Sequence, residues 1–353
     1  EMADPWWGGA IVFTPWKLYQ NFGDRRVIDQ GYSSMKAYVD YLSSTAKGNI
    51  VSWGLGDWLD DSAGGGGRRV PVAQTSTAAY FYAASIIADS AKLLGKNSDE
   101  EKYRRLALEI RATYNTKFLN ENTGLYANDS QTAQALPLTL GLTDLESKSK
   151  VLEQLVASIN GARKGHISAG MVGSLYLFHA LTENNSDDLA YAMITKEEYP
   201  GWLHMINSGA TSLWEAWNGE GSYNHPTMGC VGFWLYQGLA GIKPDPTGPG
   251  YKKFVIKPSV VGDLTWVKAH YDSVHGRIES NWKRTGNKLE MNITVPINTQ
   301  ATVYIPSLIG EVISESGKPM SLGAGIKLLP SVPGFSVFRV GSGSYRFEST
   351  LPI

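Results

Sequence analysis

Residues 243–250 read KPDPTGPG, and the hydrophobic period of the chain changes across them. Before this run, apolar residues recur at helical spacing. The segments 10–23, 24–46, 72–95, 98–119, 131–142, 145–159, 168–181, 187–195 and 226–242 all carry it. Residues 72–95 (VAQTSTAAYFYAASIIADSAKLLG) are apolar nearly all round, as an inner helix must be. Residues 98–119 open on Ser98 with Glu101 three residues on, a capping box, and are amphipathic, as an outer helix would be. Met35, Tyr38, Val39 and Leu42 form one face of the second helix. Inner helices alternating with outer ones predict a toroid of paired helices over 1–243. After the Pro/Gly run the chain alternates in short stretches broken by Gly, Pro, Asn and Asp, which predicts an antiparallel β-sandwich over 244–353.

The side chains narrow the chemistry. The chain of 353 residues has 11 Trp and 18 Tyr, more than core packing asks for. Each joins a flat apolar face to a polar edge, which matches a sugar ring. A net charge of −1, with 18% charged residues, argues against a nucleic-acid platform or a polybasic membrane surface. No apolar run approaches the ~20 residues of a membrane span. Cys230 is the single cysteine, so an internal disulfide is excluded. No phosphate loop, metal-ligand spacing or G-x-S-x-G elbow occurs, and no cofactor is expected.

Four stretches could carry chemistry. In GATSLWEAWNG (209–219), Glu215 stands between Trp214 and Trp217, where indoles can wall a carboxylate off from competing partners. In VSWGLGDWLDD (51–61), Asp57 beside Trp58 reads as a sugar-binding acid, whereas Asp60 and Asp61 read as surface or capping acids. The glycines at 64–67 that follow read either as a mobile flap or as a spacer. His225 in GSYNHP can donate to a hydroxyl or a carboxylate or act as a cap, and Trp202 in EYPGWL reads as an exposed stacking ring on a turn.

The order of these motifs resembles glycoside hydrolase family 78, the bacterial-type α-L-rhamnosidases. PWWGGAIVFTPWKLYQNFG, GDWLD, EYPGWLHMINSGATSLWEAW and SYNHPTMGCVGFWLY resemble its barrel. YKKFVIKPSVVGDLTWVKAHYDS and VGSGSYRFES resemble its C-terminal sandwich. The resemblance implies an (α/α)6 barrel, here incomplete, followed by the sandwich. It also implies an inverting hydrolase that releases L-rhamnose. By position, Glu215 would be the general base, His225 would contact the sugar, and Trp7 and Trp58 would wall its subsite, with Asp57 and Trp217 close by.

The chain departs from the family at three places. Gly9 stands where W-G-D-A has its acid, and Ala216 stands where W-E-R-W has arginine. The segment D-C-P-x-R-E-x-x-x-W-x-G-D, which carries the family's general acid, is not among these residues. An inverting pair needs two carboxyls roughly 6.5–9.5 Å apart. The expected sources of the second are a preceding segment, a second chain, or Asp57, Asp60 or Asp61. Two other readings stay open: a polysaccharide lyase using Tyr223 and His225, and a non-catalytic sugar-binding protein.

Overall fold

The computed structural model describes residues 4–60, 69–308, 310–320, 323 and 325–351. Packing divides the chain into two units: residues up to Trp16 with Arg26–Val231, and Lys17–Arg25 with the residues from Gly232 onward. The second unit thus begins ahead of the Pro/Gly run.

Ten α-helices occur among the described residues, against the ~12 of a full six-hairpin ring: α1 (Ala10–Phe22), α2 (Arg26–Thr45), α3 (Val72–Leu93), α4 (Asn97–Phe118), α5 (Gln131–Leu140), α6 (Leu145–Asn160), α7 (Gly173–Glu183), α8 (Asp187–Ile194), α9 (Trp202–Asn207) and α10 (Cys230–Trp234). In α3, 15 of 22 residues are buried, against five of 22 in α4. In α5, eight of ten are buried, against three of 16 in α6. Helices α3, α5 and α7 are therefore the inner members. They pack in that order, each with its outer partner α4, α6 or α8. Alanines at 78, 79, 83 and 84 of α3 are fully buried and let neighbouring backbones approach.

Local sequence explains some helix ends and not others. At the end of α1, Gly23 takes φ 72° and returns its amide to the Tyr19 carbonyl at 2.8 Å, a left-handed stop that costs glycine little. The expected capping box at Ser98 does not form. Helix α4 starts at Asn97 without a side-chain cap, and Asp99 and Glu100 place negative charge on its first turn. The stretch 168–181 is helical only from Gly173, because the amides before that point serve another residue, described below. A short two-stranded ribbon, β1 (Leu119–Asn120) with β2 (Leu125–Tyr126), follows α4.

The second unit holds two sheets. One has the order β10 (Lys318–Pro319), β9 (Ser314–Glu315), β13 (Gly343–Thr350), β7 (Lys288–Val295), β6 (Gly276–Thr285), β5 (Trp266–Ser273). The other runs β11 (Ile326–Leu328), β12 (Phe335–Val340), β8 (Gln300–Pro306), β4 (Lys253–Ile256), β3 (Ile242–Pro244). Among the described residues all pairings are antiparallel except β4 with β8, which is parallel. Alternation supplies the core: Ile278, Trp282, Leu289, Met291, Ile293 and Phe347 are buried on the first sheet, and Phe254, Ile256, Val303 and Ile305 on the second. The Trp282 indole donates to the Leu239 carbonyl at 3.3 Å, so its polar edge is satisfied inside. Cys230 is buried, and burial pushes its thiol up to about 12, which leaves it unreactive. Among the described residues no helix is long and apolar enough to cross a membrane.

Candidate active site

The N-terminal ends of α3, α5 and α7 share one rim, because the same loops bond to all three. Asp4 organises the first loop. Its Oδ1 accepts from the amides of Trp6 and Trp7 at 2.8 and 2.9 Å, and its Oδ2 from the Leu55 amide at 2.6 Å. Its carbonyl takes the Tyr38 hydroxyl at 2.9 Å. The Trp6 indole then donates to Thr75 in the first turn of α3 at 3.0 Å. Trp7, 42% exposed, is left with an open ring.

Asp57 joins the other two helices. Its carboxylate is fully buried and accepts four hydrogen bonds: Thr132 Oγ1 at 2.5 Å and the amides of Gly170, Val172 and Gly173 at 2.9, 3.0 and 2.8 Å. Thr132 lies in the first turn of α5, and Gly173 opens α7. Burial outweighs the pull of Thr132, Gly173 and Gly170 and raises the carboxyl above its ordinary range. The amides of Gly170, Val172 and Gly173 can only donate, whereas the Thr132 hydroxyl can donate or accept. There is also no room for larger residues. A Cβ on Gly173 would lie 1.8 Å from Thr132 Oγ1, and one on Gly170 would lie 2.4 Å from the Trp58 carbonyl. That carbonyl accepts from the Met171 amide at 2.8 Å. Gln131 clamps the preceding residues, donating to the His166 carbonyl and accepting from the Ser168 amide, both at 2.8 Å.

Glu215 lies on a hairpin-like turn. Its amide donates to the Ser222 carbonyl at 2.8 Å, the His225 amide to the Leu213 carbonyl at 2.9 Å, and the Ser212 hydroxyl to the Tyr223 carbonyl. Glu215 Oε2 accepts from the Ser222 amide at 2.9 Å. Oε1 has no hydrogen-bond partner among the described residues. Gly221 permits the closure: it has φ 82°, and a Cβ there would lie 2.9 Å from Oε2. Trp214 and Trp217 are buried on either side in sequence, whereas Glu215 is only half-buried. The Trp217 indole donates to Ala169, next to Gly170, at 3.0 Å. The loops of Trp7, Trp58, residues 169–173 and Glu215 are thus linked by one chain of hydrogen bonds.

His225 caps a 3-10 turn (Pro226–Gly229) and is half-buried. Its Nδ1 accepts from the Thr227 amide at 3.3 Å, so the neutral ring carries its proton on Nε2, ready to donate. Trp58 is half-buried.

The structure corrects several placements. Asp57 is not presented to a ligand, because every bond it can accept is taken inside. Trp202 is not an exposed ring on a turn. It is 5% exposed at the head of α9, donates to the Met228 carbonyl at 2.8 Å, and meets Trp217 edge-to-face at 4.9 Å. Trp217, 2% exposed, is core as well. The two indoles pack edge-to-face in the core, a geometry that aromatic rings favour. Asp60 is buried and accepts from the Arg69 amide at 2.8 Å. Asp61 and the glycines at 64–67 lie outside the described residues. Asp4 escaped sequence reasoning; its signal was an acid two residues ahead of a Trp pair, a spacing suited to a side-chain turn.

Helix pairs whose inner members start at one rim, with a half-buried carboxylate and the exposed Trp7 indole there, define the helical-hairpin class of glycosidase folds. Residues 2–239 match the bacterial alpha-L-rhamnosidase 6 hairpin glycosidase domain, and residues 241–319 match the bacterial alpha-L-rhamnosidase C-terminal domain. The chain belongs to the bacterial α-L-rhamnosidases of glycoside hydrolase family 78. It is 32% identical to an α-L-rhamnosidase of Streptomyces avermitilis, aligning over 97% of this chain and 32% of that protein. An α-L-rhamnosidase of Alteromonas sp. is 30% identical over 91% of this chain and 37% of its own length. The chain therefore spans about a third of the curated relatives it matches. The crystal structure of the Streptomyces avermitilis enzyme complexed with L-rhamnose superposes with a TM-score of 0.88 at 31% identity, over 98% of this chain and 33% of that one. The α-L-rhamnosidase structure from Dictyoglumus thermophilum gives 0.88 at 33% identity, over 98% and 40%.

Proposed function

We propose that this chain carries the base half of an inverting α-L-rhamnosidase site, in which Glu215 activates the attacking water. The observation that carries this reading is the state of its carboxylate. Oε2 is fixed by the Ser222 amide, and Oε1 is open. A base needs that combination, one oxygen to hold its direction and one to take a proton. Nε2 of His225 donates to a sugar hydroxyl, and the rings of Trp7 and Trp58 wall the subsite. L-Rhamnose as the sugar rests on family membership and on the likeness to the Streptomyces avermitilis protein solved with it.

The acid that protonates the leaving oxygen comes from a further segment, a second chain or Asp61, since Asp60 is buried and holds the Arg69 amide. Asp57 is unsuited to the task, because it is fully buried and its partners all lie inside the fold. Proton NMR of freshly hydrolysed aryl α-L-rhamnoside tests the scheme. Inversion releases the β-anomer first. The α-anomer appearing first, or no release from an activated aryl rhamnoside, contradicts it.

A further inference from the structure

The outer face of the six-stranded sheet follows from its register. Trp266, Lys283, Glu290 and Glu348 are successive partners in one row across β5, β6, β7 and β13. Lys268, Asn281, Asn292 and Arg346 form the next row. Their alternates Trp282, Leu289, Met291 and Phe347 are buried, so both rows face outward. Two cavities of about 350 and 480 Å³ lie on this face and share Lys283 and Glu290 as walls. They form a groove running across the strands. Trp266 stands at its edge-strand end with its indole 60% exposed.

The polar groups of the groove divide by charge. Its carboxylates are occupied. Glu290 takes Asn292 Nδ2 at 2.8 Å and Arg346 at 2.8 Å. Glu348 takes Arg346 at 3.2 Å and the Ser314 hydroxyl at 3.3 Å, and Glu311 takes the amides of Leu308 and Thr350 at 3.3 and 3.0 Å. The ammonium groups of Lys268, Lys283 and Lys288 make no hydrogen bond or close ion pair among the described residues, although Lys283 lies near enough to Glu290 to help lower its carboxyl. Asn281 spends its Oδ1 on the Ala269 amide at 3.1 Å and keeps its NH2. Asn292 spends its NH2 and keeps its Oδ1. What the groove offers a ligand is a bare indole face, three cations, one amide donor and one amide acceptor.

We propose that this groove is a second, non-catalytic carbohydrate site that binds an acidic, uronate-containing oligosaccharide. The indole stacks on the C–H face of one ring. The lysines meet carboxylates along the chain, and the two asparagines meet hydroxyls. None of these residues belongs to the candidate active site, so this proposal and the assignment of Glu215 fail separately.

Isothermal titration of the chain with oligogalacturonates tests it, with neutral cello-oligosaccharides and inorganic polyphosphate as controls. The acidic sugar binds, the neutral one binds more weakly, and affinity falls with added salt. Trp266→Ala weakens binding roughly tenfold or more. Lys283→Glu abolishes it. Trp266 is exposed on an edge strand, so its variant keeps the fold, checked by an unchanged melting temperature and unchanged rhamnoside turnover. No binding of oligogalacturonate overturns the proposal. So does binding that is indifferent to Trp266→Ala or matched by polyphosphate, since that would be plain ion exchange.

Discussion

The indole N–H of Trp217 donates to the carbonyl of Ala169 at 3.0 Å. The adjacent amide, Gly170, donates to Asp57 at 2.9 Å. The carboxylate proposed as the base is thus tied, two residues from Trp217, to the loop that Asp57 holds against the inner helices. Trp217→Phe keeps most of the apolar ring and removes the donor, leaving a buried carbonyl unpaired. The expected loss is about 1–3 kcal/mol in denaturant unfolding. Turnover should fall with it, because the Glu215 loop loses its anchor. Full stability in this variant would remove the indole from its anchoring role.

Asp57→Asn separates a structural acid from a sugar-binding one. Whichever way the new amide is turned, its NH2 meets a backbone N–H, that of Gly170 on one side or those of Val172 and Gly173 on the other. Stability should fall by about 3 kcal/mol. If Asp57 instead served the substrate, KM would rise while the melting temperature stayed put.

Gly173→Ala should be costly because its Cβ would fall 1.8 Å from Thr132 Oγ1 and 2.7 Å from Asp57 Oδ2. About 1–3 kcal/mol is expected for crowding of this kind. The clash is with Thr132, so Gly173→Ala combined with Thr132→Ala should cost less than the sum of the two changes. Thermal unfolding of the three variants gives the coupling.

Acid sensitivity has a local source in α2 and α4. Burial pushes the Asp99 carboxyl up, but the Lys36 ammonium at 3.0 Å and the Tyr32 hydroxyl at 2.8 Å outweigh it and hold the group below the ordinary carboxylate range. A carboxyl lowered on folding stabilises the fold above its unfolded pKa, and this contribution is lost as pH falls through the folded value. Lys36→Met should cost about 0.5–1 kcal/mol at neutral pH, discounted for partial exposure. The difference from wild type should shrink as acid takes the pH below the carboxylate range. A difference that stays constant with pH would assign the effect to packing.

Much of the architecture was legible because it rests on local pattern. The change of period at 243–250, the apolar residues 72–95 and the alternating strands β5 to β8 all lie within a few residues of their own signals. Asp57 was misread because its partners are 75 to 116 residues away, so no local window contains them. Trp202 beside Pro200 and Gly201 has the composition of a turn, yet its indole finds Trp217 and Met228, which only the folded chain brings near. Glu215 stood out because an acid between two tryptophans is rare. What fixes it, the Ser222 amide on the returning segment, depends on a turn whose closure the sequence shows only as glycines.

The most direct test is the turnover of Glu215→Gln on an activated aryl α-L-rhamnoside. The amide keeps the size of the side chain and can still accept from Ser222, but it cannot take a proton from water. The account predicts a loss of roughly 10²–10⁴-fold in kcat with the melting temperature unchanged. Wild-type turnover in that variant would contradict it.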